Sequence, residues 1–355
     1  WLHSSINKRI KLIMAYTTVP KSTDYFNTKL YTGNAGTQTI TGVDFQPDWT
    51  WIKNRVAAEH HVLTDAVRGA NKQLNTNRNN AELSLTTQLT AFTSDGFSVG
   101  AGAEVNGNGN NIVSWNWKAN GQGSSNTDGT INSTYTSVNT TSGFSIVEFT
   151  ASGSGGTVGH GLGVAPKAII FKRLDAASDW AVYHASLGNV NMCFLNTTTA
   201  ASSNASILNS TSPTSSVFTV GSSNIVTGGP VIAYCFADVQ GYSKMGSYTG
   251  NGNANGPFIY TGFKPTWLMI RATDIGGGTD WYVFDNKRPA YNLTNLELQP
   301  NNSGIESSDI QLDILSNGFK PKGPQGGHNG NGNNYIYMAF GQPIVSTNGD
   351  IATAR

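Results

Sequence analysis

The side chains best suited to chemistry lie in one short stretch, His60, His61, Asp65 and Arg68, with a partial echo in Asp285 and Arg288. An imidazole beside a carboxylate can act as a general base, and the same pair can form a corner of a metal site. An internally related stretch, however, places His184 where the other two have Asp, and Leu187 where they have Arg. The polar pair is thus dispensable to the fold and uncopied. It reads first as a structural link from Asp to Arg across a turn, of the surface type that contributes roughly 0–1 kcal/mol. Binding is the second reading of these residues and catalysis the third.

Other chemical-looking features have plainer readings. Asn106-Gly107-Asn108-Gly109, Gly250-Asn251-Gly252-Asn253 and Gly327-His328-Asn329-Gly330-Asn331-Gly332 carry almost no carboxylates. Calcium would need several such oxygens, so these clusters read as tight turns or hairpin tips. Gly159-His160-Gly161-Leu162-Gly163 has the glycines of a phosphate loop without its lysine or its following helix. Trp49, Trp51, Trp267 and Trp281 could stack on sugars if exposed, but Ala168 and Trp180 at corresponding positions favour core packing. Cys193 and Cys235 lie in apolar strand-like contexts and read as buried free thiols. No catalytic, cofactor-binding or metal-ligating residue is assigned, and no cofactor is expected.

These residues sit within a pattern that occurs three times. An aromatic residue followed by Thr opens each copy, at Tyr31, Phe149 and Tyr248, and a proline follows 16, 17 and 17 residues later at Pro47, Pro166 and Pro265. Each proline leads an apolar run that ends six residues on in a cation, Lys53, Lys172 or Arg271. Phe97, Phe218 and Phe319 begin a later strand, and each copy closes on an alternating strand: Val113, Trp115, Trp117; Ile232, Tyr234, Phe236; Ile336, Met338, Phe340. Period-2 alternation marks strands with one buried face, and runs such as Ala168-Ile169-Ile170-Phe171 suit strands buried on both. A turn or two of helix is expected near Asp65 to Leu74. The predicted architecture is all-β, with three tandem diverged β-sandwich units of jelly-roll or concanavalin-like form at 29–118, 144–240 and 242–342. Residues 1–28 are an N-terminal arm or extension, 119–143 a Gly/Ser/Thr/Asn linker that leaves the first unit hinged, and 343–355 a C-terminal tail. Residues before Met14 read as an upstream extension or a short anchoring arm, not as a signal peptide.

Composition narrows the function class. Only 12% of the 355 residues are charged, but 8 Trp, 13 Tyr and 15 Phe supply the apolar bulk that a disordered chain lacks. A net charge of +1 gives no field to draw nucleic acid, and no run of 18 apolar residues suits membrane insertion. The 21 acidic residues are scattered, with no pair recurring in all three copies, which weighs against a glycan-degrading enzyme.

Several segments carry a family resemblance: Met14-Ala15-Tyr16-Thr17-Thr18, Trp51-Ile52-Lys53-Asn54-Arg55, Asp65-Ala66-Val67-Arg68-Gly69, Ser94-Asp95-Gly96-Phe97-Ser98, Gly246-Ser247-Tyr248-Thr249-Gly250-Asn251-Gly252, Asp285-Asn286-Lys287-Arg288 and Tyr335-Ile336-Tyr337-Met338-Ala339-Phe340. Over Met14 to Arg355 the chain resembles the tandem repeats of a family of tailed-bacteriophage structural proteins, tail-fibre-like or concanavalin-like and common in marine phages. The resemblance implies a non-enzymatic virion protein on the exterior of the phage particle, a tail-fibre or tail-associated component used in host attachment. A capsid decoration protein is the alternative, and a glycan-degrading tail enzyme a third reading. The partners it implies are other virion proteins, further copies of the chain as a homo-oligomer, and host-surface polysaccharide.

Overall fold

The computed structural model describes residues 17–19, 21–275, 279–289, 291–345 and 351–353. The residues before Met14 and much of the C-terminal tail therefore lie outside the described residues.

The fold is all-β and antiparallel, with three large sheets that share one strand order. In each, an opening strand pairs with the closing strand, the closing strand with the proline-led strand, and that strand with the one carrying Asp or His. In the first sheet these are Phe26–Thr32, Asn111–Trp117, Trp49–Asn54 and Val62–Asp65. In the second they are Phe144–Thr150, Pro230–Phe236, Ala168–Arg173 and Ala181–His184, and in the third Ser243–Thr249, Asn334–Pro343, Phe263–Ala272 and Trp281–Asp285. Registers correspond: Trp49 lies opposite Trp117, Ala168 opposite Phe236, and Trp267 opposite Phe340. Pro265 falls inside its strand, and the register shifts between Pro265 and Trp267, because a residue without an N–H cannot take part in the ladder as a donor.

Each large sheet is buried on both faces, and alternation decides which residue faces where. One face packs on a small sheet to make a sandwich. In the first, Ile52, Val62 and Ile112 meet Ile40, Phe97 and Val99; in the second, Ile169, Phe171 and Val231 meet Val158, Phe218 and Val220. In the third, Leu268, Ile270 and Tyr335 meet Ile259, Leu312 and Phe319. Phe97 and Phe319 follow glycines for a steric reason. A Cβ at Gly96 would stand 1.9 Å from the Ile40 carbonyl oxygen, and one at Gly318 2.1 Å from that of Ile259.

The opposite faces of all three large sheets turn toward each other and form one shared aromatic core. Trp49, Trp51, Trp115 and Trp117 from the first sheet meet Phe144, Tyr234 and Phe236 from the second, and Trp267 and Phe340 from the third. Phe340 lies 5.6 Å from Trp117, 5.8 Å from Phe236 and 5.8 Å from Trp267, ring centre to ring centre. Trp49, Trp51, Trp267 and Trp281 are all buried, as core packing requires. Both cysteines are free and buried, and burial pushes the Cys193 thiol up to about 11.

Several expected boundaries shift. The segment 119–143 contains the strand Ser133–Asn139, which adds an edge to the second sheet; its alternating Ser133, Tyr135 and Ser137 pair with Phe149, Glu148 and Ile146. Phe26 belongs to the first opening strand, so part of the expected N-terminal arm is sheet. Residues Asp65 to Leu74 form a turn and the strand Lys72–Asn75 in place of a helix, because the Arg68 N–H is captured by the Asp65 carboxylate.

Phe340→Ala removes a ring that all three sheets share, and we expect a loss of about 3–5 kcal/mol in urea unfolding. The unfolding should remain a single transition; a change below about 1 kcal/mol would place that ring outside the core.

Candidate functional site

The candidate polar residues are joints between sheets. Asp65 and Arg68 meet at 2.6 Å with side chains 0% and 2% exposed, and Asp285 and Arg288 at 2.6 Å with both at 0%. The expected Asp-to-Arg link across a turn is therefore present, but it is buried and not of the surface type. Each carboxylate also receives a hydrogen bond from the closing strand of another sheet: the Tyr234 hydroxyl donates to Asp65 at 2.7 Å, and the Trp115 indole N–H to Asp285 at 2.9 Å. His184 meets the third closing strand through the Tyr337 carbonyl, 3.2 Å from Nε2. Met338, which stands where Trp115 and Tyr234 stand, has no polar hydrogen to offer a carboxylate, and an imidazole that bonds the backbone suits that seam. Burial opposes charge on Asp285, but Arg288, the Trp115 N–H and two further hydrogen bonds outweigh it and hold the carboxyl below the usual carboxylate range.

The cations that end the proline-led strands do the same work in the other direction. Lys53 Nζ donates to the Ser303 carbonyl at 3.2 Å, Lys172 Nζ to Asn79 at 3.4 Å, and Arg271 Nη2 to Thr199 at 2.7 Å. Each contact joins one unit to a loop of another, and burial pushes both lysines down to about 8. Three matching backbone hydrogen bonds run beside them: Glu82 N–H to Leu174 C=O at 2.8 Å, Ala201 to Thr273 at 2.8 Å, and Glu306 to Arg55 at 2.9 Å. Second meets first, third meets second, and first meets third, so the contacts close a ring. This removes the expected hinge at the first unit.

His60 stands apart from this ring. Its Nδ1 lies 2.8 Å from Asn77 Nδ2, while His61 accepts from the Trp51 indole at 3.0 Å. Neither imidazole contacts Asp65, and no cluster of three His, Cys, Asp or Glu side chains able to hold a metal occurs among the described residues. The Asn-Gly clusters combine exposed tips with buried struts. Asn106 bonds the carbonyls of Gly36 and Gly100, and Asn329 those of Asn253 and Gly323. His160 is buried, and its ring accepts the Leu162 N–H, which makes that glycine loop a turn.

One concavity breaks the regularity of the ring. A cleft of about 520 Å³ opens between the first and second sheets, lined by Arg68, Lys72 and Glu82 on one side and Tyr135, Glu148 and Leu174 on the other. Glu82 is bridged by Arg68 at 3.0 Å and Lys72 at 3.2 Å. No hydrogen bond or ion pair engages the Glu148 carboxylate among the described residues, and burial pushes its pKa up, with the Asp65 charge adding to the effect. Glu148 was not among the candidates from sequence. Its signal was parity: in Phe144-Ser145-Ile146-Val147-Glu148 it shares the inward face of Phe144 and Ile146.

One family model matches this chain, over residues 21–343. The chain belongs to the DUF7483 family. That family is described as a domain of unknown function, and the match takes in every strand of the three large sheets and so the whole ring. No curated protein and no solved structure matches the chain.

Asp285→Ala takes from the buried Arg288 its 2.6 Å partner, leaving Glu306 as its one carboxylate, and orphans the Trp115 N–H, so a loss of about 3–5 kcal/mol is expected in denaturant unfolding, far above a surface pair. A second expectation concerns pH. Burial holds His184 at about 4 in the fold, against about 6.5 when unfolded, so the unfolded chain binds the extra proton between those values. Stability from this group is complete above about 6.5 and falls by about 1.4 kcal/mol per pH unit toward about 4. His184→Gln should flatten that slope by one proton relative to the parent, with the burial-lowered His61, His160 and His328 supplying the remainder.

Proposed function

We propose that this chain is a structural protein of a tailed-phage particle, borne on its exterior as a tail-fibre or tail-associated component in host attachment. Placement in a phage rests on the resemblance carried by the residues from Met14 to Arg355. The observation that best supports a scaffold role is the closed ring, in which every seam between sheets is tied by a backbone hydrogen bond and a buried cation. A body tied in this way holds its loops in fixed relative positions, which suits many weak contacts made together. Exposed Asn108, Gly109, Asn253, Asn331 and Gly332 offer amide and backbone groups of the kind that bond polysaccharide or a neighbouring subunit. Other virion proteins, a homo-oligomer and host-surface polysaccharide are the partners in this reading, and no substrate is turned over.

Capsid decoration is a second reading, favoured by one specific feature. Three sheets of like topology in a ring give a single chain the outline of a three-fold body, which matches a three-fold position on a head.

Cryo-electron microscopy of intact particles should place the chain on the tail, and purified protein should compete with particles for adsorption to host cells. Density on the head would select the second reading, and absence from the particle would remove both. Shortened host polysaccharide after incubation, lost on replacing one carboxylate, would make the chain an enzyme.

A further inference from the structure

The three seams of the ring allow a comparison within one molecule. At the seam between third and first sheets, Arg55 lays a two-pronged guanidinium on Glu306, at 3.0 Å and 2.7 Å, while Arg288 holds the same carboxylate at 3.0 Å. At the seam between first and second sheets, Glu82 takes the place of Glu306 and Arg68 that of Arg288, as the matching backbone bonds to Leu174 and Arg55 show. The second guanidinium is missing there: Leu174 stands where Arg55 stands, two residues past its own buried cation, and the ammonium of Lys72 reaches Glu82 from within the first sheet instead. Beside Leu174, at the seam without the second guanidinium, lies the cleft of about 520 Å³.

This open seam also carries a charge that its counterparts lack. Glu148 precedes Phe149, and the residues that precede Tyr31 and Tyr248 are Leu30 and Ser247. A carboxylate on the inward face of a strand, absent from both counterparts and held by no hydrogen bond or ion pair among the described residues although the Arg68 and Lys72 charges act on it, is not required by the fold. A site that breaks the local rule without a structural return is where function is usually found. Across the cleft, Glu82 offers a second carboxylate already aligned by Arg68 and Lys72.

We propose that this cleft receives an arginine side chain from a neighbouring protein chain, seated between Glu82 and Glu148. The inserted guanidinium would restore at this seam the contact that Arg55 makes within the chain at the other. A planar fork of donors suits two carboxylates better than a point ammonium does, which is why arginine and not lysine is the occupant. The half-buried surroundings strengthen the contact relative to one in open water. The reading of the chain as part of an assembly supplies the neighbour, but binding in the cleft is a property of the isolated chain and can be measured independently of any particle.

The test uses the full chain and Nα-acetyl-arginine amide as probe, followed by ligand-observed NMR, with the neutral citrulline analogue, the acetyl-lysine amide and glucosamine as comparisons. The arginine probe should bind saturably, the citrulline analogue should not, and lysine and glucosamine should bind more weakly. Glu148→Gln should weaken the arginine probe about tenfold, the equivalent of one charge-assisted contact of about 1.4 kcal/mol. Leu174→Arg should supply the guanidinium from within the chain and abolish binding, and its unfolding transition, compared with that of the parent, will show that it folds. Binding should weaken as pH falls and Glu148 takes up its proton. Equal binding of the citrulline analogue, preference for glucosamine, or unchanged affinity in Glu148→Gln would each overturn the proposal, as would no binding of the arginine probe to the parent.

Discussion

The meeting of three sheet faces around Trp49, Trp117, Phe236, Trp267 and Phe340 is the constraint on which the rest of the molecule depends. A sheet that packs on a small partner on one side and on two other sheets on the other has no solvated face. Every residue of Trp49–Asn54 is buried for that reason, as is every residue of Ala181–His184 and Trp281–Asp285. Charge is thereby confined to rims and seams, in keeping with a charged fraction of 12%. The aromatic content follows from the same geometry, since large flat side chains bridge the gap among three surfaces that meet at a point.

Burying charge at the seams has a cost that hydrophobic contact alone would avoid, and replacing such pairs with apolar residues often stabilises a protein. What the seams gain is registration. Trp115, Tyr234 and His184 each make one directional bond to another sheet, and Lys53, Lys172 and Arg271 each reach one carbonyl in a loop of another unit. A sheet slid by one residue along its neighbour would keep its apolar contact and lose these bonds. The joints therefore select one arrangement of the sheets among several that the aromatic core would tolerate.

Much of this frame was legible in the residues. The alternation in Val113-Ser114-Trp115-Asn116-Trp117 marks a strand whose large side chains share a face, and the six-residue step from Pro47 to Lys53 recurs because the cation must end on the inward face at a seam. Other parts were hidden by chemistry that composition alone does not resolve. Ser, Thr and Asn between Ala119 and Gly143 read as linker, yet Ser133 and Ser137 are buried because hydroxyls can satisfy themselves locally; the Ser133 hydroxyl lies 2.8 Å from that of Thr136. The depth of the Asp-to-Arg links was also out of reach. A sequence states that Asp285 and Arg288 are three residues apart, and only the arrival of Trp115 from another sheet removes them from water. Glu148 passed unnoticed because one acid in an apolar strand is weak evidence until its neighbours in space are known.

The ring is written into a single chain, and that changes what a substitution does to it. In an assembly of three identical subunits, replacing an arginine at one seam replaces it at all three, so any opening must come in threes and must be survived in threes. Here Leu174 occurs once, between the first and second sheets, while Arg55 still fastens the third to the first and Thr273 occupies the remaining place. The molecule therefore has a front. A body with three-fold outline but three unlike seams can present a single orientation to whatever it meets, and can be counted, aimed and spaced in ways that a truly symmetric ring cannot.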